Sequence, residues 1–380
     1  MRQELEHVVI PGEEQALART WAVVETAFDE RVPTPRRSHW PRVAAIAIAL
    51  AALLASAFSP PGQAVIDEIR EVVGVEHAER ALFSLPAGGR VLVASDEGVW
   101  VVQQDGSRRL LGDYREASWS PFGRFVVAAK RDELAALEPD GVVRWTLARP
   151  QPRGPAWSGT RFDTRIAYAT RDELHVVGGD GRGDRRQFSA PDVPIAPFAW
   201  APGSRRLLAH STQGILRLLD VAAGGEERWS ARVVQPFALE WTVDGTRLVA
   251  VSRTELAVFD RRGRRVLRRQ LPGRATAAAI EPGTHRVAVV LGLRGNKRSE
   301  ILAFSLDRRG EPQRRLFGSA GTFRDLTWSP NGRWLLVSWP EADQWLFIRT
   351  DGKGLRAVSN ISEQFRSGSF PRVEGWCCAP

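Results

Sequence analysis

Apolar residues change their spacing three times along the chain, and each change marks a different kind of element. Near the start, Leu17, Trp21, Val24 and Phe28 recur at steps of four, three and four, the stripe of an amphipathic helix. Pro33 and Pro35 then break the pattern. The next run, Val43 to Phe58, reads VAAIAIALAALLASAF, 16 residues without a charge. At about 1.5 Å per residue it is about 24 Å long, which crosses a bilayer core of about 30 Å once with modest thinning. The pattern therefore predicts a transmembrane helix over 43–59 behind a tail over 1–42. Further on, Val65, Ile66, Ile69, Val72 and Val73 predict a second amphipathic helix, a linker over 60–84.

Charge placement orients the anchor. Arg36, Arg37 and Arg42 precede it, whereas Asp67, Glu68 and Glu71 follow it. The positive-inside tendency puts residues 1–42 in the cytoplasm and everything after about residue 59 outside. A cleaved export signal competes, because Ala55-Ser56-Ala57 fits a small-x-small cleavage site and Arg36-Arg37 forms a twin-arginine pair. A lead of 42 residues is long for such a signal, and the pair lacks the expected apolar follow-on. A buried core helix is the third alternative.

From residue 85 to 380 the apolar runs are short, β-branched and alternating, which is the spacing of strands. They belong to a repeat. Its clearest copies are Trp119-Ser120-Pro121-Phe122-Gly123-Arg124 and Trp328-Ser329-Pro330-Asn331-Gly332-Arg333. Looser copies begin at Trp157, Trp200 and Trp241, and in another Ile280 takes the tryptophan place. Successive anchors lie 38, 43, 41, 39 and 48 residues apart, the period of a four-stranded propeller blade. Each is followed by an apolar strand, a second strand ending in an acidic or Gly turn, and a third short strand. Pro before a Gly-containing turn sets the first hairpin, and the aromatic fills the wedge between blades.

Blade number follows from the two ends of this region. Trp376 offers an anchor 48 residues after Trp328, but the sequence stops at Pro380. Residues 88–106 look like a blade lacking its first strand. Pairing the C-terminal strand with these N-terminal strands completes a ring without exposed edges. The expectation is an all-β, seven-bladed propeller, with a six-bladed ring and a ragged tail as the alternative.

At the anchor motifs the chain resembles the TolB-like, WD-repeat-like β-propeller family of bacterial exported proteins. Their repeat has the form Trp-Ser-Pro-x-Gly-x followed by an apolar strand. The resemblance implies a propeller over 85–380 and leaves the activity open, because this repeat serves binding, assembly and enzyme domains alike. The copies with Ile280, and with Gly159 in place of Pro, depart from the pattern and raise the expectation of distorted blades.

Composition narrows the function classes. With 26% charged and 43% apolar residues, wholesale disorder is excluded, and two adjacent cysteines in 380 residues exclude a disulfide framework. Net charge is +9, yet Lys130, Lys297 and Lys353 are the only lysines among 53 basic residues. The arginines are spread along the whole chain, so solvated charge accounts for the balance better than a nucleic-acid surface does, and nucleic acid is disfavoured as a partner.

Candidate chemistry is sparse. The six histidines show no metal-ligand spacing, and most read as solvent or strand-end residues. No serine sits in a nucleophile elbow, and the Gly178–Asp184 stretch reads as a hairpin turn. No catalytic residue, cofactor or metal is expected. Cys377 and Cys378 fit core packing or a vicinal disulfide, with metal or redox chemistry as the rival. Arg261, Arg262, Arg264 and Arg265, with Arg268, Arg269, Arg308, Arg309, Arg314 and Arg315, lie at turns of neighbouring blades. If they converge they could hold an anionic polymer, a lipid headgroup or an acidic protein.

The layout predicts a non-enzymatic binding or sensing module in the cell membrane. The propeller would take a protein or cell-envelope ligand, and Leu17, Trp21, Val24 and Phe28 would dock a cytoplasmic partner. By analogy this resembles membrane-bound bacterial signalling proteins, including anti-sigma factors. The alternatives are a TolB-like exported scaffold in envelope assembly and a propeller hydrolase or lyase. The last would need acid and base groups gathered in the central channel.

Overall fold

The computed structural model describes residues 84–159, 163–204, 206–293, 298–307 and 311–378. The chain divides into two units, Met1–Ile66 and Asp67–Pro380, and the described residues belong to the second. The tail helix, the transmembrane helix and the linker helix expected before residue 84 lie outside the described residues. Among those that are described, no helix is long and apolar enough to cross a membrane.

Short alternating runs form strands throughout. Blade 1 opens with β1 (Arg90–Ser95), β2 (Gly98–Val102) and β3 (Arg108–Gly112). Blade 2 holds β4 (Glu116–Trp119), β5 (Val126–Lys130), β6 (Glu133–Leu137) and β7 (Val143–Ala148). Blade 3 holds β8 (Arg153–Gly159), β9 (Thr164–Ala169), β10 (Glu173–Gly178) and β11 (Arg185–Ser189). In blade 4 come β12 (Phe198–Trp200), β13 (Leu207–Thr212), β14 (Ile215–Asp220) and β15 (Glu226–Arg232). Blade 5 follows with β16 (Pro236–Trp241), β17 (Arg247–Ser252), β18 (Glu255–Asp260) and β19 (Arg265–Gln270). Blade 6 is β20 (Arg274–Ile280), β21 (Arg286–Gly292), β22 (Arg298–Ser305) and β23 (Arg314–Ala320). Blade 7 is β24 (Arg324–Trp328), β25 (Trp334–Trp339), β26 (Gln344–Arg349) and β27 (Leu355–Ser359). The final strand, β28 (Arg372–Cys377), returns to the inner edge of blade 1.

Seven antiparallel four-stranded sheets result, which settles the blade count at seven. β28 pairs with β1 in the register Val91↔Trp376, so the first and last strands of the domain share one sheet. The innermost strands β4, β8, β12, β16, β20, β24 and β28 touch in succession and close a ring around a channel. Full closure removes the open sheet ends that a linear array would expose.

Burial follows position within the blade. The middle strands are buried on both faces, as in VVAAK of β5 and WLLVSW of β25, because each blade is sandwiched between two others. Outer strands such as β7 and β15 alternate between half-buried and exposed. Seven apolar clusters lie between successive blades, and each contains one anchor: Trp119, Trp157, Trp200, Trp241, Ile280, Trp328 or Trp376. Two anchors also reach the preceding inner strand. Trp200 Nε1 donates to Ala156 O at 3.1 Å, and Trp328 Nε1 donates to Ala279 O at 3.0 Å.

The hairpin after each anchor explains the rest of the motif. Ser120 Oγ accepts from Phe125 N at 2.9 Å, and Ser329 Oγ accepts from Trp334 N at 2.9 Å. In blade 5 Thr242 Oγ1 takes Arg247 N at 3.0 Å. A hydroxyl next to the anchor thus pins the backbone five residues on. Gly123 and Gly332 sit at φ 64° and 67°, a left-handed turn position that a side chain would strain. Blade 4 has Ala201 in the hydroxyl place, and Ser204 Oγ accepts from Leu207 N instead.

The expected distortion of blades 3 and 6 is not seen. Both complete four strands, and Ile280 is buried in its cluster. The register shift in β8, between Arg153 and Ala156, has counterparts in β16, β20 and β24. A branched aliphatic side chain fills the wedge adequately when its neighbours Phe304 and Leu306 supply bulk.

Candidate functional site

Inner strands place their first residues at the channel wall, and several of these are charged. Arg372 and Glu374, two apart on β28, face the same way and form an ion pair at 2.6 Å. Arg372 Nη2 also donates to Arg115 O at 2.9 Å. Asp325 of β24 accepts from Val373 N and Ser338 Oγ, both at 3.1 Å. Glu116 of β4 accepts from Gly154 N of β8. Burial pushes the Glu374 carboxyl up to about 7 against the pull of Arg372, with Glu116 and Asp325 adding repulsion. Asp325 is raised as well, chiefly by burial.

On the opposite part of the ring, Glu240 of inner strand β16 is exposed by accessible area yet crowded by surrounding protein. Burial lifts its carboxyl to about 7, and a bond from Ile280 N at 2.8 Å works against the shift. These carboxylates were not legible as a group in the sequence. The available signal is a charged residue one to three positions before the anchor, as in Glu240-Trp241, Glu374-x-Trp376, Asp325-x-x-Trp328 and Glu116-x-x-Trp119. None of the described histidines joins them, and the described residues contain no group of His, Cys, Asp and Glu able to hold a metal.

Of the three described histidines, His285 lies part-exposed just before β21, as a solvent or strand-end residue would, whereas His210 departs from that reading. His210 of β13 is fully buried, with Thr212 Oγ1 at 3.3 Å from Nδ1 and Phe188 packed on its ring. Burial and the nearby Arg217 depress it to about 3, so it is neutral. His175 of β10 lies between Glu173, at 3.0 Å, and Asp184, at 3.5 Å. Arg149 of blade 2 reaches the same Asp184, its Nε at 2.8 Å, and also Tyr168 OH at 3.1 Å. His175 is raised, first by the Asp184 contact, with burial opposing. His285 bridges blades, with Nδ1 2.6 Å from Asp307 and Nε2 3.0 Å from Asp244. Burial opposes its charge, but the two aspartates hold it above its ordinary value. These clusters tie blade to blade.

The arginine-rich turn occupies one face. Arg264 pairs with Asp260 at 2.7 Å, Arg261 Nε donates to Gly245 O at 2.6 Å, and Arg262 and Arg265 are exposed. Arg261 and Arg262 converge with Arg206 and Arg228 around a cavity of about 590 Å³ between blades 4 and 5. Its floor is the buried carboxylate of Asp220, which both Arg206 and Arg228 engage. Arg268 and Arg315 are held by Glu255 and Glu300, and Arg269 and Arg314 bond backbone carbonyls. The described arginines of this set therefore spread over two blades, 5 and 6, mostly matched locally. Arg308 and Arg309 lie outside the described residues, as do Leu17, Trp21, Val24 and Phe28.

Cys377 and Cys378 are bonded to each other. They lie at the rim and not in the core, half-buried against the blade 2 turn, where a Cβ on Gly123 would meet Cys378 Sγ at 2.8 Å. Gly178–Asp184 is the hairpin turn between β10 and β11, as its composition implied.

No known family profile matches the chain, and no curated protein matches it in sequence. Solved structures do match in fold. A chain of a mitotic checkpoint complex is similar at a TM-score of 0.53 and 15% identity, covering 72% of this chain and 92% of its own. The Cps50 (Swd1) β-propeller domain of Myceliophteria thermophila gives 0.50 and 13%, covering 65% and 86%. A putative 6-phosphogluconolactonase of Bacteroides fragilis gives 0.53 and 12%, covering 77% and 98%. At such identities the likeness establishes the fold alone, a β-propeller, and the seven four-stranded sheets of this chain make it seven-bladed.

Proposed function

We propose that this chain is a single-pass membrane protein of bacterial TolB-like type, whose extracytoplasmic propeller binds a protein or cell-envelope ligand without catalysis. The cytoplasmic segment 1–42 then transmits occupancy to a partner such as a sigma factor through Leu17, Trp21, Val24 and Phe28. The observation that carries the reading is the joining in sequence of a charge-free 16-residue run, with arginines on its N-terminal side, to a closed seven-bladed ring. The channel carboxylates do not shift it towards a hydrolase or lyase, because Glu116 is held by Gly154 N and Glu374 by Arg372.

Protease protection on spheroplasts, combined with pull-down on the full-length protein, tests this proposal. Expected are an intact chain with a protected tail, a digestible outer domain, and a cytoplasmic partner lost on Trp21→Ala with Phe28→Ala. A mature chain lacking the tail would overturn the anchor and leave an exported scaffold. Full capture of the same partner by the double variant would overturn the docking stripe.

A further inference from the structure

Near the mouth of the channel, on the face opposite the arginine-rich turn, a cavity of about 470 Å³ lies between blades 2 and 3. Arg115, Glu116, Ala129, Lys130, Arg131, Gln151, Pro152 and Arg153 line it. From this cavity we infer a binding site for a small ligand carrying a phosphate monoester, held by Arg115, Arg131 and Arg153.

Charge selects the ligand class. The lining side chains carry four positive charges and one negative charge, a net of +3. Not all of that is available. Lys130 is matched by Asp113 and Glu133, each at 3.5 Å. Glu116 faces Gly154 N and so is held in the wall. Arg115, Arg131 and Arg153 are exposed and make no side-chain hydrogen bond or ion pair with any described residue. Three unmatched guanidinium forks around one cavity suit a group with several oxygens and about two negative charges, which a phosphate monoester supplies and a single carboxylate does not. Small-molecule pockets are ordinarily mostly apolar, so a polar cavity of this size fits a charged ligand better than a lipophilic one.

The frame is built in advance. Gln151 N donates to Arg131 O at 2.7 Å, Arg149 N to Asp132 O at 3.1 Å, and Arg115 N to Ala129 O at 2.8 Å. Turn and crossover are therefore fixed to each other, and Arg372 donates to Arg115 O from the channel side. Binding orders only the arginine side chains and not the backbone, which limits its entropic cost. The cavity between blades 4 and 5 is a poorer candidate. Two of its arginines already share Asp220, and Arg261 is tied to Gly245 O.

This site is independent of any protein partner, and its test uses none. The full chain, solubilised in a non-ionic detergent, is titrated calorimetrically with glycerol 3-phosphate, inorganic phosphate and acetate. Expected is saturable binding of glycerol 3-phosphate at one per chain, competed by inorganic phosphate and not by acetate. Arg131→Ala and Arg153→Ala each weaken it by about tenfold or more, with an unchanged melting temperature because neither side chain has a structural partner. Absence of saturable heat up to about 10 mM overturns the site, since weaker binding is no more than screening. Equal affinity for acetate overturns the ligand class. A loss on Arg262→Ala that matches or exceeds the loss on Arg131→Ala moves the anion to the other face and overturns the assignment.

Discussion

His210 is a base that folding keeps neutral, and its burial makes an acid-side prediction. An imidazole held at about 3 in the fold takes up its proton at its ordinary value only after unfolding. Its contribution is present above about 6.5 and is lost as pH falls below that value, at about 1.4 kcal/mol per pH unit. Glu240 and Glu374 run the other way. Carboxyls raised to about 7 favour the fold at acid pH and cost stability as pH rises from about 4.5 to 7. The His210 term is therefore read from a difference. His210→Leu should narrow its stability gap to wild type by about 2 kcal/mol between pH 6.5 and 4.5, measured by urea unfolding. A constant gap would show that the imidazole is solvated. For Glu240→Gln the sign is reversed: the variant gains on wild type between pH 5 and pH 8. Equal differences at the two pH values would remove the channel penalty. His175 and His285, raised by their carboxylate partners, add stability below about 6.5 that fades as pH climbs through their higher folded values.

At the scale of elements, the motif works through its hydroxyl as much as its aromatic. Ser329 is fully buried and supplies the acceptor for Trp334 N, so Ser329→Ala leaves that amide short of a partner. The expected cost is about 1–2 kcal/mol in denaturant unfolding, and Ser329→Thr should recover most of it, as Thr242 does the same task in blade 5. If Ala and Thr behave alike, the turn is held by Asn331 and Gly332 alone. This division also explains what could be read before the fold was known. Anchor, hydroxyl and glycine are neighbours in sequence, so strand order and blade number were legible from Trp119 to Trp376. The channel group was not, because Glu116, Asp325 and Glu374 come from three strands brought together only by ring closure. His210 was misread for a different reason: a middle strand is covered on both faces, so alternation gives no sign of which side chains meet water. Asp220 and its two arginines were likewise hidden, since Arg206 and Arg228 lie on either side of it along the chain and meet only across a blade.

For the whole molecule, the critical joint is the one between β28 and β1, since every other blade is continuous in sequence. Removing residues 372–380 takes Trp376 from its cluster with Phe347 and Trp100, and it takes Arg372 and Glu374 from the channel. Loss of the tryptophan alone is worth about 3–5 kcal/mol, which for a domain of this size lowers the melting temperature by on the order of 10 °C. The truncation also leaves the inner edge of β1, with buried Val91, Leu92 and Val93, without a pairing strand. An apolar edge of that kind pairs with another copy. The truncated chain should therefore melt earlier and elute as larger species than wild type in gel filtration, whereas Trp376→Phe keeps the strand and should elute as wild type with a smaller loss. A truncated chain that eluted and melted as wild type would mean that the six continuous blades close without β28. The seven inner strands in contact would then not be the source of the ring's cooperativity.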